Sequence, residues 1–212
     1  MKDFVKEIRV LLVAPNLDNI NAIPEIRAIA GLHRVFPLNG HVSLRDVYDA
    51  ARDDKYDVIH FALHSNTDAL RLNGDTIRPE DVAQIARLAH AHLIVINSCY
   101  SGRHASYAVE HGVDFAIYSN VEVHDDEAWK FPVALYEFLH DQIVTLAAVN
   151  YAKAFHDASN GDGQYGITSA YDRAGILPLQ REVEILKQRL WWLFAAGVLN
   201  LIVWITVQLL RG

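Results

Sequence analysis

The sequence predicts an α/β domain on a largely parallel sheet with helices on both faces, followed by one C-terminal transmembrane helix. Three observations carry that expectation. Short, continuous apolar runs of strand length alternate with helical patterns; strands buried on both faces read this way, whereas half-solvated strands alternate apolar with polar. Hydrophobic residues make up 51% of the chain, which favours a folded core over disorder. Finally, residues 191–210 are twenty positions without a charge. At about 1.5 Å per residue such a helix spans roughly 30 Å, the thickness of a bilayer core.

The elements follow in order. Residues 8–14 read as a buried strand ended by Pro15 and Asn16. Residues 21–35 read as a helix with Pro24 near its first turn and Ile23, Ile26 and Ala30 on one face. Ser43 is a good N-cap for the next helix, which carries Leu44, Val47, Tyr48 and Ala51 at helical spacing. Residues 56–63 form a strand-length apolar run. A loop over 65–78 turns at Asn73-Gly74, and Pro79 opens a helix that turns Val82, Ile85, Leu88 and Ala89 inward. Residues 93–96 are the next buried strand, 105–110 a short helix and 113–118 another strand. Helices are expected near 127–140 and 145–158. Residues 159–178 hold several glycines without a period and read as loop and linker, and 179–190 as a polar helix leading into the apolar span.

The remaining bulk properties narrow the class. A formal charge of −7 without a basic block argues against a nucleic-acid partner. Cys99 is the one cysteine of the 212 residues, so no internal disulfide forms and a reducing compartment fits. The apolar run near the N-terminus is too short for a signal peptide. Trp191, Trp192 and Trp204 are aromatic, the first two where an interfacial belt would lie, and Arg181, Lys187 and Arg189 outnumber Arg211. That bias predicts a single-pass membrane protein with its N-terminal domain in the cytoplasm. No residue pattern names a cofactor. His60 and His64 share a strand face but lack a third ligand nearby, so no metal site is expected.

Two buried strands end in reactive residues, one at His64 and the other at Cys99. In open α/β sheets functional groups gather beyond the carboxyl ends of parallel strands. If the two strands are neighbours, the imidazole can take the thiol proton and later return one to a leaving amine. Gly102 permits a tight turn that points backbone N–H groups at a developing oxyanion. His104 competes as a base, but is expected on a surface loop or helix start.

The segment His60-Phe61-Ala62-Leu63-His64 resembles the HFAxH motif of CHAT domains, the separase-related caspase-like peptidases. Asn97-Ser98-Cys99-Tyr100-Ser101-Gly102 resembles that family's second motif, and the likeness covers roughly residues 45–155. It implies a caspase-like αβα sandwich with His64 as general base and Cys99 as nucleophile. Ser65 stands where the family usually has a glycine, beside the oxyanion, and Val121 replaces a usual aromatic. The turn from Val121 to Asp125 resembles the one that lines a separase-type pocket for a basic side chain. Glu122 takes the place of its acidic residue; Asp125, in the same turn, is a second substrate-side carboxylate and a cap for the helix that follows.

The expected organisation is a peptidase domain over 1–158, a loop and linker helix over 159–189 and a membrane helix over 190–210. The expected partners are a protein substrate, the membrane and possible further copies or a regulator, and the family analogy suggests a bacterial defence effector. A non-catalytic interaction module and a membrane-disrupting effector are the rival readings.

Overall fold

The computed structural model describes residues 8–17, 22–123, 128–139 and 165–170. The chain divides into two compact units, Met1–Ala170 and Tyr171–Gly212, and every element below belongs to the first.

A six-stranded sheet runs β2-β1-β3-β6-β7-β8. Its strands are β1 (Arg9–Pro15), β2 (Arg34–Gly40), β3 (Val58–Ala62), β6 (Leu93–Asn97), β7 (Phe115–Ser119) and β8 (Tyr165–Ser169). The first five are parallel and β8 runs antiparallel to β7. A two-stranded hairpin, β4 (Leu70–Arg71) and β5 (Thr76–Ile77), stands apart. The helices are α1 (Ile23–Ala30), α2 (Leu44–Asp53), α3 (Pro79–Ala89), α4 (Gly102–Glu110) and α5 (Lys130–Leu139).

The helices form two layers. On one face α2, α3 and α4 pack in sequence, while α1 packs with α5. Every residue of β3 and β6 is buried, as their unbroken apolar runs require. Leu11, Val13, Ile59, Phe61, Ile94 and Ile96 turn one face into the core with Val47, Ile85 and Ala105. Alternation sends His60, Val95 and Asn97 to the opposite face. Local signals act as expected at two helix starts. Ser43 and Asp46 close a capping box at α2, and Pro79 opens α3, which ends at His90 in the left-handed region (φ 57°).

Three sequence expectations need correction. The helix expected over 21–35 stops at Ala30, and Arg34–Gly40 forms edge strand β2. Pro37 disguises it, because proline lacks a ladder donor and is tolerated only where one strand side is free. The loop over 65–78 contains the β4–β5 hairpin, turned by Gly74 at φ 90°. The loop expected over 159–178 contains β8, which pairs along its whole length with β7, so the sheet extends past residue 158. Among the described residues no helix is long and apolar enough to cross a membrane. The helices expected over 145–158 and 179–190, and the span over 191–210, lie outside those residues.

Candidate active site

The site is built where β3 and β6 end. These strands are parallel neighbours, with Val58 opposite Leu93 and Ala62 opposite Asn97. His64 and Cys99 each stand two residues beyond the ends of these strands. Both residues line one small pocket of about 40 Å³ with Ala22, Glu25, Asn97, Val123 and Trp129. Neighbouring strands lie about 4.8 Å apart, so the pocket draws these two residues from adjacent strand ends.

The turn after Cys99 is held from two sides. Ser65 Oγ donates to the Cys99 carbonyl. Tyr100 N donates to the Val121 carbonyl at 3.4 Å and Ser101 N to the Ser119 carbonyl at 2.8 Å. Ser101 Oγ also bonds the Ser98 carbonyl at 3.0 Å and accepts from Ser119 N at 3.1 Å. Tyr100 takes a left-handed φ of 49°, sparsely used by residues with a side chain, and its side chain stays 47% exposed. The strained corner lets β6 enter α4 while leaving the Cys99 sulfur on the pocket wall. Val123 N donates to that sulfur at 3.3 Å. A thiolate accepts such a bond more strongly than a thiol.

Behind the pocket lies a buried polar network. Glu25, 3% exposed, receives the Asn97 amide at 3.0 Å, and His60 Nε2 stands 2.9 Å from the same Oε1. The oxygen lies off the ring N–H direction, so the His60 contact is electrostatic. His60 Nδ1 meets the Tyr136 hydroxyl at 3.2 Å, and the two rings stack. Burial, reinforced by the charge of Glu25, pushes that hydroxyl well above its ordinary range. Asn97 also donates to the Ala128 carbonyl at 2.9 Å and accepts from the Tyr165 hydroxyl at 2.7 Å. One amide two residues before Cys99 therefore ties α1, the approach to α5 and β8 to the site.

The fold has a counterpart among solved structures. The chain matches the Arg-specific cysteine proteinase gingipain R (RgpB) with a TM-score of 0.57 at 13% identity, covering 74% of this chain and 43% of that one. A complex of Porphyromonas gingivalis RgpB pro- and mature domains matches with a TM-score of 0.54 at 13% identity, covering 74% and 44%. The chain shares the fold of gingipain R. It spans less than half the length of the gingipain chains it matches. No family model and no curated protein sequence matches it.

The gingipain-like framework does not gather every residue that the sequence singles out. Ser65 is half-buried beside the site. It pairs with Leu70 in an isolated bridge whose two bonds run from Arg71 N to His64 O and from Asn66 N to Ala69 O. The Ser65 N–H is thus outside that ladder, and Ser65 is not among the residues that line the pocket. Gly102 opens α4 and does not line the pocket; a Cβ there would meet Asn120 Oδ1 at 2.8 Å. Glu122 is exposed and off the pocket lining, and Asp125 lies outside the described residues. His104 stands in the first turn of α4, the helix-start position of the two expected, but it is fully buried and takes no part in the pocket. Among the described residues no group of His, Cys, Asp and Glu gathers to hold a metal ion.

Sequence reading missed Glu25. Its position three residues into a helix resembles an ordinary first-turn acid, and only its enclosure marks it.

Proposed function

We propose that the chain is a caspase-like cysteine endopeptidase of CHAT type that cuts a protein substrate after a basic residue. The observation that carries this reading is the placement of His64 and Cys99 on one pocket at the carboxyl ends of adjacent parallel strands. The fold shared with an Arg-specific cysteine proteinase supports it.

In this mechanism His64 takes the Cys99 thiol proton as the sulfur attacks the scissile carbonyl carbon. The carbonyl oxygen becomes an oxyanion, and the Ser65 N–H donates to it. Collapse breaks the C–N bond, and the leaving amine takes its proton from His64. A water, deprotonated by His64, then hydrolyses the thioester and restores the thiol. Ile23, Tyr100, Val121 and Trp129 are the large apolar side chains most exposed among the described residues. Trp129 lines the pocket and offers an apolar contact to residues flanking the scissile bond.

Residues 191–210 serve in this reading as a membrane tether, with the catalytic domain on the cytoplasmic side and a membrane-associated target within reach. A defence role fits such an effector. The test is cleavage of a protein or peptide library by the full chain in detergent, beside its Cys99→Ala variant. Cleavage lost in the variant supports the reading, and cleavage that persists overturns it. Deleting residues 191–212 should release an active, soluble enzyme from membranes; a membrane-disrupting effector would instead lose its activity.

A further inference from the structure

The pocket contains a carboxylate that the peptide-cleavage chemistry does not use. Glu25 lines it beside His64 and Cys99 and is 3% exposed. Both of its contacts, from Asn97 Nδ2 at 3.0 Å and His60 Nε2 at 2.9 Å, fall on Oε1. The second oxygen, Oε2, takes no hydrogen bond or ion pair among the described residues. A carboxylate withdrawn from water to this degree carries a large desolvation penalty unless a cation or several donors answer it. No lysine or arginine is among the residues that line this pocket.

We propose that Glu25 is the specificity-determining carboxylate of this site and reads the positively charged side chain on the acyl side of the scissile bond. The assignment rests on the peptidase reading above. His60 and Asn97 hold one oxygen from the core side and aim the carboxylate, which leaves Oε2 for an arriving guanidinium or ammonium. A charge-assisted bond in a water-poor pocket is stronger than one at a solvated loop. Glu25 therefore outranks the exposed Glu122 as the reader of charge. Leu63, Val123, Ala128 and Trp129 supply apolar and aromatic walls for the aliphatic stem of such a side chain. At about 40 Å³ the pocket suits the tip of a linear side chain and not an aromatic ring.

The experiment compares kcat/KM of the full chain, in detergent, on matched peptides that differ only in arginine or citrulline at the acyl-side position. Citrulline keeps the shape of arginine and removes its charge. Wild type should prefer arginine by at least about ten-fold, the discrimination expected when a buried polar group loses its partner. Glu25→Gln should lose most of that preference through KM for the arginine peptide, while iodoacetamide still labels Cys99. Glu25→Asp keeps the charge and should keep a preference for cations with an altered arginine-to-lysine ratio, which guards against a folding defect in the first variant. A Glu25→Gln protein that retains the full preference, or a Glu122→Gln protein that loses it instead, overturns this assignment alone. A wild type that cleaves neither peptide nor any library member overturns the peptidase reading and this assignment with it.

Discussion

Val123 donates its backbone N–H to the Cys99 sulfur across 3.3 Å, and the thiol in turn lies 3.9 Å from the Val123 carbonyl. The segment after β7 thus cradles the candidate nucleophile, although it is remote from Cys99 in sequence. The donor stabilises charge on sulfur as the proton leaves, and the strained corner at Tyr100 keeps that sulfur on the pocket wall.

Iodoacetamide should therefore label Cys99 faster than a free cysteine peptide at neutral pH, and His64→Ala should slow the labelling. Cys99→Ala and His64→Ala should each lower peptide cleavage by about 10³-fold or more, with the melting temperature near that of wild type. A thiol that reacts no faster than the free peptide would favour the non-catalytic interaction module.

Asn97→Ala tests the joint beneath the nucleophile. The substitution removes bonds to Glu25, Ala128 and Tyr165 together and leaves the Glu25 carboxylate short of a donor. Urea denaturation should show a loss of about 2–4 kcal/mol. The rate of Cys99 labelling should change as well, because β8 and α1 are tied to the site through this amide.

Two glycines meet Tyr118 and should respond differently. Gly166 lies opposite Tyr118 in the β7–β8 ladder, and a Cβ there would meet the ring Cζ at 2.6 Å and the hydroxyl at 2.8 Å. Gly166→Ala should lower the urea midpoint by the equivalent of about 1–3 kcal/mol. Gly102→Ala presses mainly on the far end of Asn120, an exposed side chain that can swing aside. Its cost should stay below about 1 kcal/mol.

The His104 ring supplies a pH dependence. Burial first, then the charge of Arg103, pulls its pKa from 6.5 to about 4, against smaller upward pulls from the Ile77 backbone, Glu80 and Asp68. The folded state therefore keeps this ring neutral while the unfolded chain still binds a proton. Stability from this group is fully present above about pH 6.5, falls as pH drops toward 4 and levels off below that. The loss should reach at most about 3.5 kcal/mol, since each tenfold change in proton affinity is worth about 1.4 kcal/mol. Urea denaturation of wild type and His104→Leu at pH 7 and pH 4.5 measures it. The variant should lose less stability between the two.

Local pattern by itself determined where the reactive residues stand along the chain and what surrounds them. Continuous apolar runs marked β3 and β6 as strands buried on both faces, and each run leads to its reactive residue, His64 or Cys99. The capping box at Ser43 and the proline at Pro79 marked helix starts because those signals act within one turn. Only the tertiary structure decided that β3 and β6 are neighbours whose ends bring His64 and Cys99 to one pocket. It also decided that segment 34–40, with its proline, and segment 165–169, inside a glycine-rich stretch, close the two edges of the sheet. The burial of His104 and the turning of Glu25 into the pocket were settled there too. Strand pairing and enclosure depend on contacts between residues far apart in the chain, and a local pattern of residue types carries no record of which distant surface will cover it.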